Sequence, residues 1–143
     1  MYQYSSCGLE YVFLKNGYTI KETPYGQAVS IDDIEGLHRA IALDIMRQKT
    51  PLTGQQFRFL RKEQDLTQAE LAAILGVSEQ TVAAWEKLKK EPVQMMADIS
   101  MRAYYLAHMQ VMRLPQVFPS PAGQTLGSIS FEHDANGWLP KAA

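Results

Sequence analysis

The chain has 143 residues, of which 46% are hydrophobic and 20% are charged, a composition typical of one ordinary globular domain or two small ones. Its formal net charge of −1 is not typical of a protein that binds polyanions without specificity. If the protein binds a polyanion, we expect a locally basic edge of the surface to form the contact. The single cysteine, Cys7, excludes an internal disulfide and a four-thiolate zinc site. No apolar run approaches the ~20 residues that cross a bilayer, and the N-terminus lacks a signal-peptide pattern. We therefore expect a soluble, cytoplasmic protein without a membrane partner.

Residues 10–31 have the pattern of antiparallel β structure. Glu10–Leu14 predicts a strand, Asn16-Gly17 is a strong hairpin signal, and Tyr18–Glu22 predicts the returning strand. A third short strand is predicted over Gln27–Ile31. A sheet this small must pack against another element to be stable.

An amphipathic helix is predicted to supply that packing. Ser30 and Asp33 form a capping box at its start, and Pro51 follows as a stop. The apolar residues that recur at helical spacing are Ile34, Leu37, Ile41 and Ile45.

A second helix is predicted to open with a capping box at Thr53 and Gln56 and to run through about Gln64. Phe57 and Leu60 lie on its inward side. The helix precedes the next two helices in the chain and should support them.

Two short helices joined by a tight turn are predicted over Thr67–Glu86. Thr67 and Glu70 form a capping box, Gly76 can adopt the left-handed conformation that ends a helix, and Ser78 caps the second helix. The inward positions of the pair are Leu71, Ala72, Ile74, Leu75, Val82 and Trp85.

The last predicted helix covers residues 93–113, with Pro92 at its first position. Its apolar stripe comprises Met96, Ile99, Ala103 and Leu106, and the stripe is widened by Tyr104, Tyr105 and Met109. The excess of apolar surface favours a helix packed on two sides, as at a dimer interface.

The tail contains helix-ending residues, namely Pro115, Pro119, Pro121 and Gly123. Ile129–His133 then alternates like a strand, which must find a sheet edge, and the N-terminal sheet of the same or a partner chain offers one. The predicted fold is α+β, with a small antiparallel β unit and one helix at residues 1–50, an all-α domain at 51–113 and a proline-containing tail with a short strand at 114–143.

The segment Phe57–Pro92 resembles the Xre/Cro-type helix-turn-helix regulators, whose DNA-binding domains have the lambda-repressor-like fold. The residues at the motif positions of that family are Gln68, Ala72, Gly76, Val82 and Trp85. The resemblance implies a transcription regulator that binds double-stranded operator DNA as a homodimer, with two recognition helices in successive major grooves.

The resemblance also assigns roles to individual residues. Gln68 is expected to hold a DNA phosphate at a helix start, and Gln80 and Thr81 are expected to contact base edges. Glu79 can accept from a cytosine or stabilise the helix start, Ser78 can cap the helix and touch phosphate, and Ala84 offers only a methyl group. Candidate phosphate contacts are Arg58, Lys62, Lys87, Lys89 and Lys90. Arg61 and Glu86 are expected to form a structural ion pair.

The whole chain resembles MqsA-type antitoxins, on the segments Asn16-Gly17-Tyr18, Glu22–Gly26, Phe57–Lys62 and Gly137-Trp138-Leu139-Pro140. That resemblance implies a small ribonuclease-like toxin as a partner and repression of the protein's own operon. Members of that family commonly bind zinc in the N-terminal module, but Tyr4-Ser5-Ser6-Cys7 retains one thiol, so a zinc-less module is expected.

Two other functions remain open at the level of sequence. The first is a stand-alone repressor without a toxin. The second is a helix-turn-helix used for protein contacts, because residues 51–91 hold six Lys/Arg and six Asp/Glu. The histidines His38, His108 and His133 are scattered, so no catalytic site, metal or cofactor is expected.

Overall fold

The computed structural model describes residues 1–109 and 127–141. The fold is α+β, as predicted. In chain order the strands are β1 (Tyr2–Gln3), β2 (Val12–Leu14), β3 (Tyr18–Thr23), β4 (Gly26–Ile31), β5 (Ile129–Asp134) and β6 (Gly137–Lys141). The helices are α1 (Ile34–Arg47), α2 (Gly54–Glu63), α3 (Gln68–Leu75), α4 (Glu79–Glu86) and α5 (Met95–Met109). None of these helices is long and apolar enough to cross a membrane, within the described residues.

The chain forms two compact units. The first contains the N-terminal strands, the start of α1 and the two C-terminal strands, and the second contains the end of α1 with α2, α3, α4 and α5.

A four-stranded sheet of order β1-β2-β5-β6 organises the first unit. Strand β5 runs parallel to β2, with Phe13 opposite Ser130, while β1 and β6 are antiparallel to their neighbours. The predicted tail strand therefore joins the N-terminal sheet of its own chain, and a second tail strand covers its other edge. Val12, Leu14 and Phe131 are fully buried beneath this sheet.

The hairpin predicted at Asn16-Gly17 is wrong. Strands β3 and β4 form a separate two-stranded sheet whose turn is Pro24-Tyr25. Asn16 binds the tail instead, since its side-chain amide donates to the carbonyl of His133 (3.2 Å) and its oxygen accepts from the His133 N–H (2.8 Å). Gly17 has a φ of +78° and lies so close to Trp138 that a β-carbon would be 2.5 Å from the indole ring.

The start of α1 is also set by Trp138. The indole Nε1 donates to the carbonyls of Asp32 and Asp33, at 3.0 Å each. The helix is capped by Asp33, whose carboxylate accepts from the Gly36 N–H (3.2 Å), whereas Ser30 lies within β4 and does not cap the helix. Ile34 is 46% exposed, and the buried residues of α1 are Leu37, Ile41, Ala42, Ile45 and Met46.

The helix signals of the second unit are confirmed in detail. The capping boxes at Thr53/Gln56 and Thr67/Glu70 are both formed, and Gly76 ends α3 in the left-handed conformation with φ 72°. Helix α4 packs against α3 and α2, and α2 also packs against α5. Ile74, predicted to be buried, is 44% exposed.

The predicted apolar stripe of α5 is wrong, although Tyr105, expected to widen that stripe, is buried. The buried residues of the helix are Ala97, Met101 and Tyr105, whereas Met96 is 66% and Ile99 is 51% exposed. Ala103 is exposed as well and Leu106 is half-buried. The residue Pro92 pairs with Thr53 in an isolated β-bridge, and the helix begins only at Met95.

Two polar residues explain the rotation of α5. The Asp98 carboxylate accepts from the Leu52 N–H (2.7 Å) and from Arg102 Nε (3.0 Å). Arg102 also donates to three carbonyls at the end of α1 and beyond it, those of Met46, Gln48 and Thr50. These bonds orient the Asp98–Arg102 side toward residues 46–52. The predicted extension of the helix to residue 113 and the proline-containing segment lie outside the described residues.

Candidate nucleic-acid interface

Helices α3 and α4 form a compact pair joined by Gly76, Val77 and Ser78. Leu71, Ala72 and Val82 are buried between the helices of the unit. Trp85 meets Phe57 of α2 edge-to-face, with ring centroids 5.5 Å apart. These contacts place the apolar side of α4 inward and leave its first turn at the surface.

The first turn of α4 presents polar side chains to the outside. Ser78 Oγ accepts from the Thr81 N–H (3.1 Å), and the hydroxyl groups of the exposed Ser78 and the half-exposed Thr81 lie 2.8 Å apart. Glu79, Gln80 and Ala84 are exposed. The Gln80 side chain forms no hydrogen bond to the part of the chain that the structure describes.

Glu86 lies at the centre of a buried network that links three helices. Arg61 binds it through two bonds, from Nε to Oε2 (2.6 Å) and from Nη2 to Oε1 (3.0 Å), as predicted. The Gln68 side-chain amide donates to Oε1 (3.1 Å), and Arg58 Nε lies 3.9 Å from the same oxygen. Arg61 Nη1 also donates to the Leu66 carbonyl (2.7 Å), just before α3. Gln68 and Arg58 therefore face the scaffold as well as the surface.

The start of α2 fixes the end of α4, a feature that the sequence did not predict. The Gly54 N–H donates to the Glu91 carbonyl (3.1 Å) and the Gln55 N–H donates to the Lys89 carbonyl (2.9 Å). A β-carbon on Gly54 would lie 2.5 Å from the Trp85 carbonyl and 2.7 Å from the Lys89 amide. Glycine is a poor helix former, so its presence in the first turn of a helix needs a reason. The glycine at position 54 is therefore the sequence signal from which this close approach could have been predicted.

The start of α3 carries an ionised capping residue. Glu70 Oε1 accepts from the Thr67 N–H (3.0 Å), and the Thr67 hydroxyl accepts from the Glu70 N–H (3.1 Å). Hydrogen bonds from Thr67, mainly from its backbone and to a lesser extent from its side chain, hold the pKa of Glu70 below its usual value. The N–H of Gln68 is among those at a helix start without an intrahelical partner, and such groups attract anions.

The basic candidates surround the two helices in sequence and are all exposed, namely Arg58, Lys62, Lys87, Lys89 and Lys90. Lys89 has a φ of +55°, a left-handed conformation that follows the end of α4 and turns the chain back toward α2. Within residues 1–109 and 127–141, no group of three or more His, Cys, Asp or Glu side chains is arranged to hold a metal ion.

Comparison with known proteins identifies this part of the chain. Residues 57–97 match the family model described as a helix-turn-helix. No curated protein and no solved structure is significantly similar to the chain. With α2 to α4 arranged as described, residues 57–97 are a helix-turn-helix domain of the Xre/Cro type, the kind of domain that DNA-binding transcription regulators use.

Proposed function

We propose that the protein is a sequence-specific regulator of transcription that binds operator DNA as a homodimer through α4. The observation that carries the proposal is the first turn of α4, where Gln80 is exposed and forms no hydrogen bond within the described residues, at the N-terminal end of the second helix of a helix-turn-helix. In such domains the N-terminal residues of the second helix contact base edges in the major groove. Gln80 can pair with adenine through two hydrogen bonds, and the Thr81 methyl group can touch a thymine methyl.

Phosphate contacts would come from the helix starts and the basic residues around them. The N–H groups at the starts of α3 and α4, at Gln68 and next to Ser78, offer two anion sites. Glu79, directly before Gln80, either accepts from a cytosine or stabilises the start of α4, and Ala84 allows close approach of the DNA. The exposed residues Arg58, Lys62, Lys87, Lys89 and Lys90 would supply the positive charge that the chain as a whole lacks.

The base-reading role of Gln80 is tested by replacing it with alanine. We expect Gln80→Ala to weaken binding to the operator by about 1–3 kcal/mol and to relax the preference at one base position, because the bidentate contact is lost. Gel-shift titrations on the upstream region of the gene and on its point variants measure both effects. Gln94→Ala removes an exposed glutamine just before α5 and should change neither. Unaltered affinity of Gln80→Ala for every operator variant would show that Gln80 is not a reader.

The phosphate role of Lys89 has a different signature. We expect Lys89→Asn, which keeps a residue that tolerates positive φ, to weaken binding to all sequences alike and to lower the slope of log K against log salt by about 1. Lys21→Asn on β3 is the matched control and should leave the slope unchanged. Equal slopes for Lys89→Asn and the unchanged protein would contradict the assignment.

We further propose that the regulator is the antitoxin of a toxin–antitoxin pair and represses its own operon. The support is the resemblance of the motifs at Asn16-Gly17-Tyr18 and Gly137–Pro140, together with a compact first unit that is separate from the DNA-binding unit. Co-expression with the neighbouring open reading frame tests it. A small, basic, growth-arresting product that co-purifies with the chain is expected, whereas a solitary gene would favour the alternative of a stand-alone repressor.

A further inference from the structure

The β3–β4 ribbon has one apolar face and one polar face. Residues directly opposite each other in an antiparallel pair share a face, and the register places Ile20 opposite Val29 and Tyr18 opposite Ile31. Glu22 and Gln27 continue the same face, and their side chains are 3.0 Å apart in a hydrogen bond. The opposite face carries only small or polar residues, namely Thr19, Lys21, Thr23, Gly26, Ala28 and Ser30.

The ribbon is anchored at its base, and residues 19–30 farther out are exposed. Tyr18 packs on Tyr2, with ring centroids 5.3 Å apart, and the Asp32 N–H donates to the Gly17 carbonyl (2.8 Å). Farther out, Ile20 is 47% and Val29 is 36% exposed. Among the described residues, β3 and β4 pair only with each other. A lone two-stranded ribbon is marginal in water, so an additional strand would stabilise it.

Of the two open edges, that of β4 has the residue composition that permits pairing with another strand. Charged side chains protect an edge strand from pairing with other chains. Strand β3 carries Lys21 and Glu22, whereas β4 (Gly-Gln-Ala-Val-Ser-Ile) carries no charge and no proline.

The backbone geometry defines the register that this edge can accept. Thr23 and Gly26 flank a two-residue turn and therefore form a hydrogen-bonded pair, after which bonded and non-bonded pairs alternate. The N–H and C=O groups of Gln27, Val29 and Ile31 consequently point away from β3. These three residues also carry their side chains on the apolar face.

We infer that the β4 edge pairs antiparallel with β4 of a second copy of this chain, with Val29 opposite Val29 on the two-fold axis. In this register Gln27 lies opposite the partner's Ile31, and Ala28 opposite the partner's Ser30, so no charges meet and small residues face each other. One apolar stripe then crosses the resulting four-stranded sheet, formed by Ile20 and Val29 of both copies. The inference rests on the proposed homodimer and locates one of its contacts.

Cysteine cross-linking tests the register in the full chain. In a Cys7→Ser background, Val29→Cys should give a covalent dimer under mild oxidation, because opposed residues in neighbouring strands are about 5.5 Å apart at Cα. Ile20→Cys is the matched control on the same face. The two copies of that residue would be separated by three strand spacings, about 14 Å, which is too far for a disulfide.

Charge at the axis gives an independent measurement. Val29→Lys should convert the dimer to a monomer in sedimentation equilibrium, because two lysines would meet on the axis, whereas Ile20→Lys should stay dimeric. A dimer that neither cross-links in the Val29→Cys variant nor responds to Val29→Lys would overturn this interface and leave the homodimer in place. A monomer at all concentrations would overturn both.

Discussion

A carboxylate can be buried in a small helical domain only if charged groups and hydrogen-bond donors surround it, and Glu86 has both. The bidentate bond from Arg61, the amide of Gln68 and the nearby Arg58 come from α2 and α3, while Glu86 itself is the last residue of α4. Since the donors lie on α2 and α3 and their acceptor lies on α4, the network fixes the relative placement of all three helices. Glu86 is thus a common acceptor that links α2, α3 and α4.

Breaking this network from one side should be costly. We predict that Arg61→Met lowers the free energy of unfolding by about 3–5 kcal/mol, because Glu86 is left buried without its counter-charge. Urea denaturation followed by circular dichroism measures the change. The double variant Arg61→Met with Glu86→Leu should lose less than the sum of the single losses, and Arg39→Met, on the exposed side of α1, should be close to neutral. Additive losses in the double variant would contradict a coupled pair.

Asp44 on α1 gives a pH-dependent prediction. Burial raises the pKa of Asp44 above 3.8, and the attraction of Arg47 offsets only part of that rise. The folded state therefore holds the proton more tightly than the unfolded chain. Stability falls as the pH rises from 3.8 through the raised pKa, and the full cost of the buried charge is present above that pKa.

We predict that Asp44→Asn is more stable than the unchanged protein at pH 7, because it removes this cost. The advantage should shrink as the pH falls through the raised pKa and vanish below 3.8, where both states of the unchanged protein are protonated. Thermal denaturation at a series of pH values measures it. A gain that does not vary with pH would point to a cause other than ionisation.

At the level of elements, the position of α4 depends on backbone contacts at both of its ends. Ser78 caps its start, and the chain after its end returns to bond the first N–H groups of α2 through the carbonyls of Lys89 and Glu91. Helix α4 is therefore held by α2 as well as by its turn partner α3. Gly54 makes this close approach possible.

We predict that Gly54→Ala lowers the free energy of unfolding by about 1–3 kcal/mol, because the added methyl group must displace the Trp85 carbonyl or the Lys89 amide. Affinity for operator DNA should fall with it, since α4 would shift. Gly127→Ala is the control, because a β-carbon at that position would meet no described atom within 4 Å. Unchanged stability of Gly54→Ala in urea would show that the two helix ends separate freely.

For the whole molecule, the C-terminal strands complete the N-terminal unit. Strand β5 pairs with β2, and the side chain of Asn16 bonds to His133, 117 residues away. Trp138 joins three parts of the unit. Its indole ring covers Gly17 and lies against the His133 ring, with ring centroids 5.1 Å apart. Its Nε1 donates to the carbonyls of Asp32 and Asp33 before α1. The first unit thus depends on the last strands of the chain.

We predict that Trp138→Ala destabilises the first unit by about 3–5 kcal/mol, through the cavity that it leaves and the lost indole bonds. Hydrogen exchange should show reduced protection in β3 and at the start of α1, with α2 to α4 unchanged. Trp138→Phe keeps an aromatic ring and should lose about 0.5–1.5 kcal/mol per missing hydrogen bond. Equal loss of protection in α2 to α4 would contradict this division.

The sequence by itself determined the features that depend on a few neighbouring residues. The capping boxes at Thr53 and Thr67, the left-handed Gly76 and the cap at Ser78 each involve groups within four residues, so their chemistry can be read locally. The Arg61–Glu86 pair was also predicted, through the motif that the residues match. These signals were sufficient for the helix-turn-helix and the exposed position of Gln80.

Only the tertiary structure decided which surfaces meet. Asn16-Gly17 has the chemistry of a hairpin turn, but the indole of Trp138 and the backbone of His133 occupy its contacts. In α5 both faces are apolar, and the bonds of Asp98 and Arg102 to residues 46–52 select the inward one. The close approach at Gly54 likewise requires two helices to be placed. In each case the deciding contact joins residues far apart in sequence, and local periodicity carries no information about it.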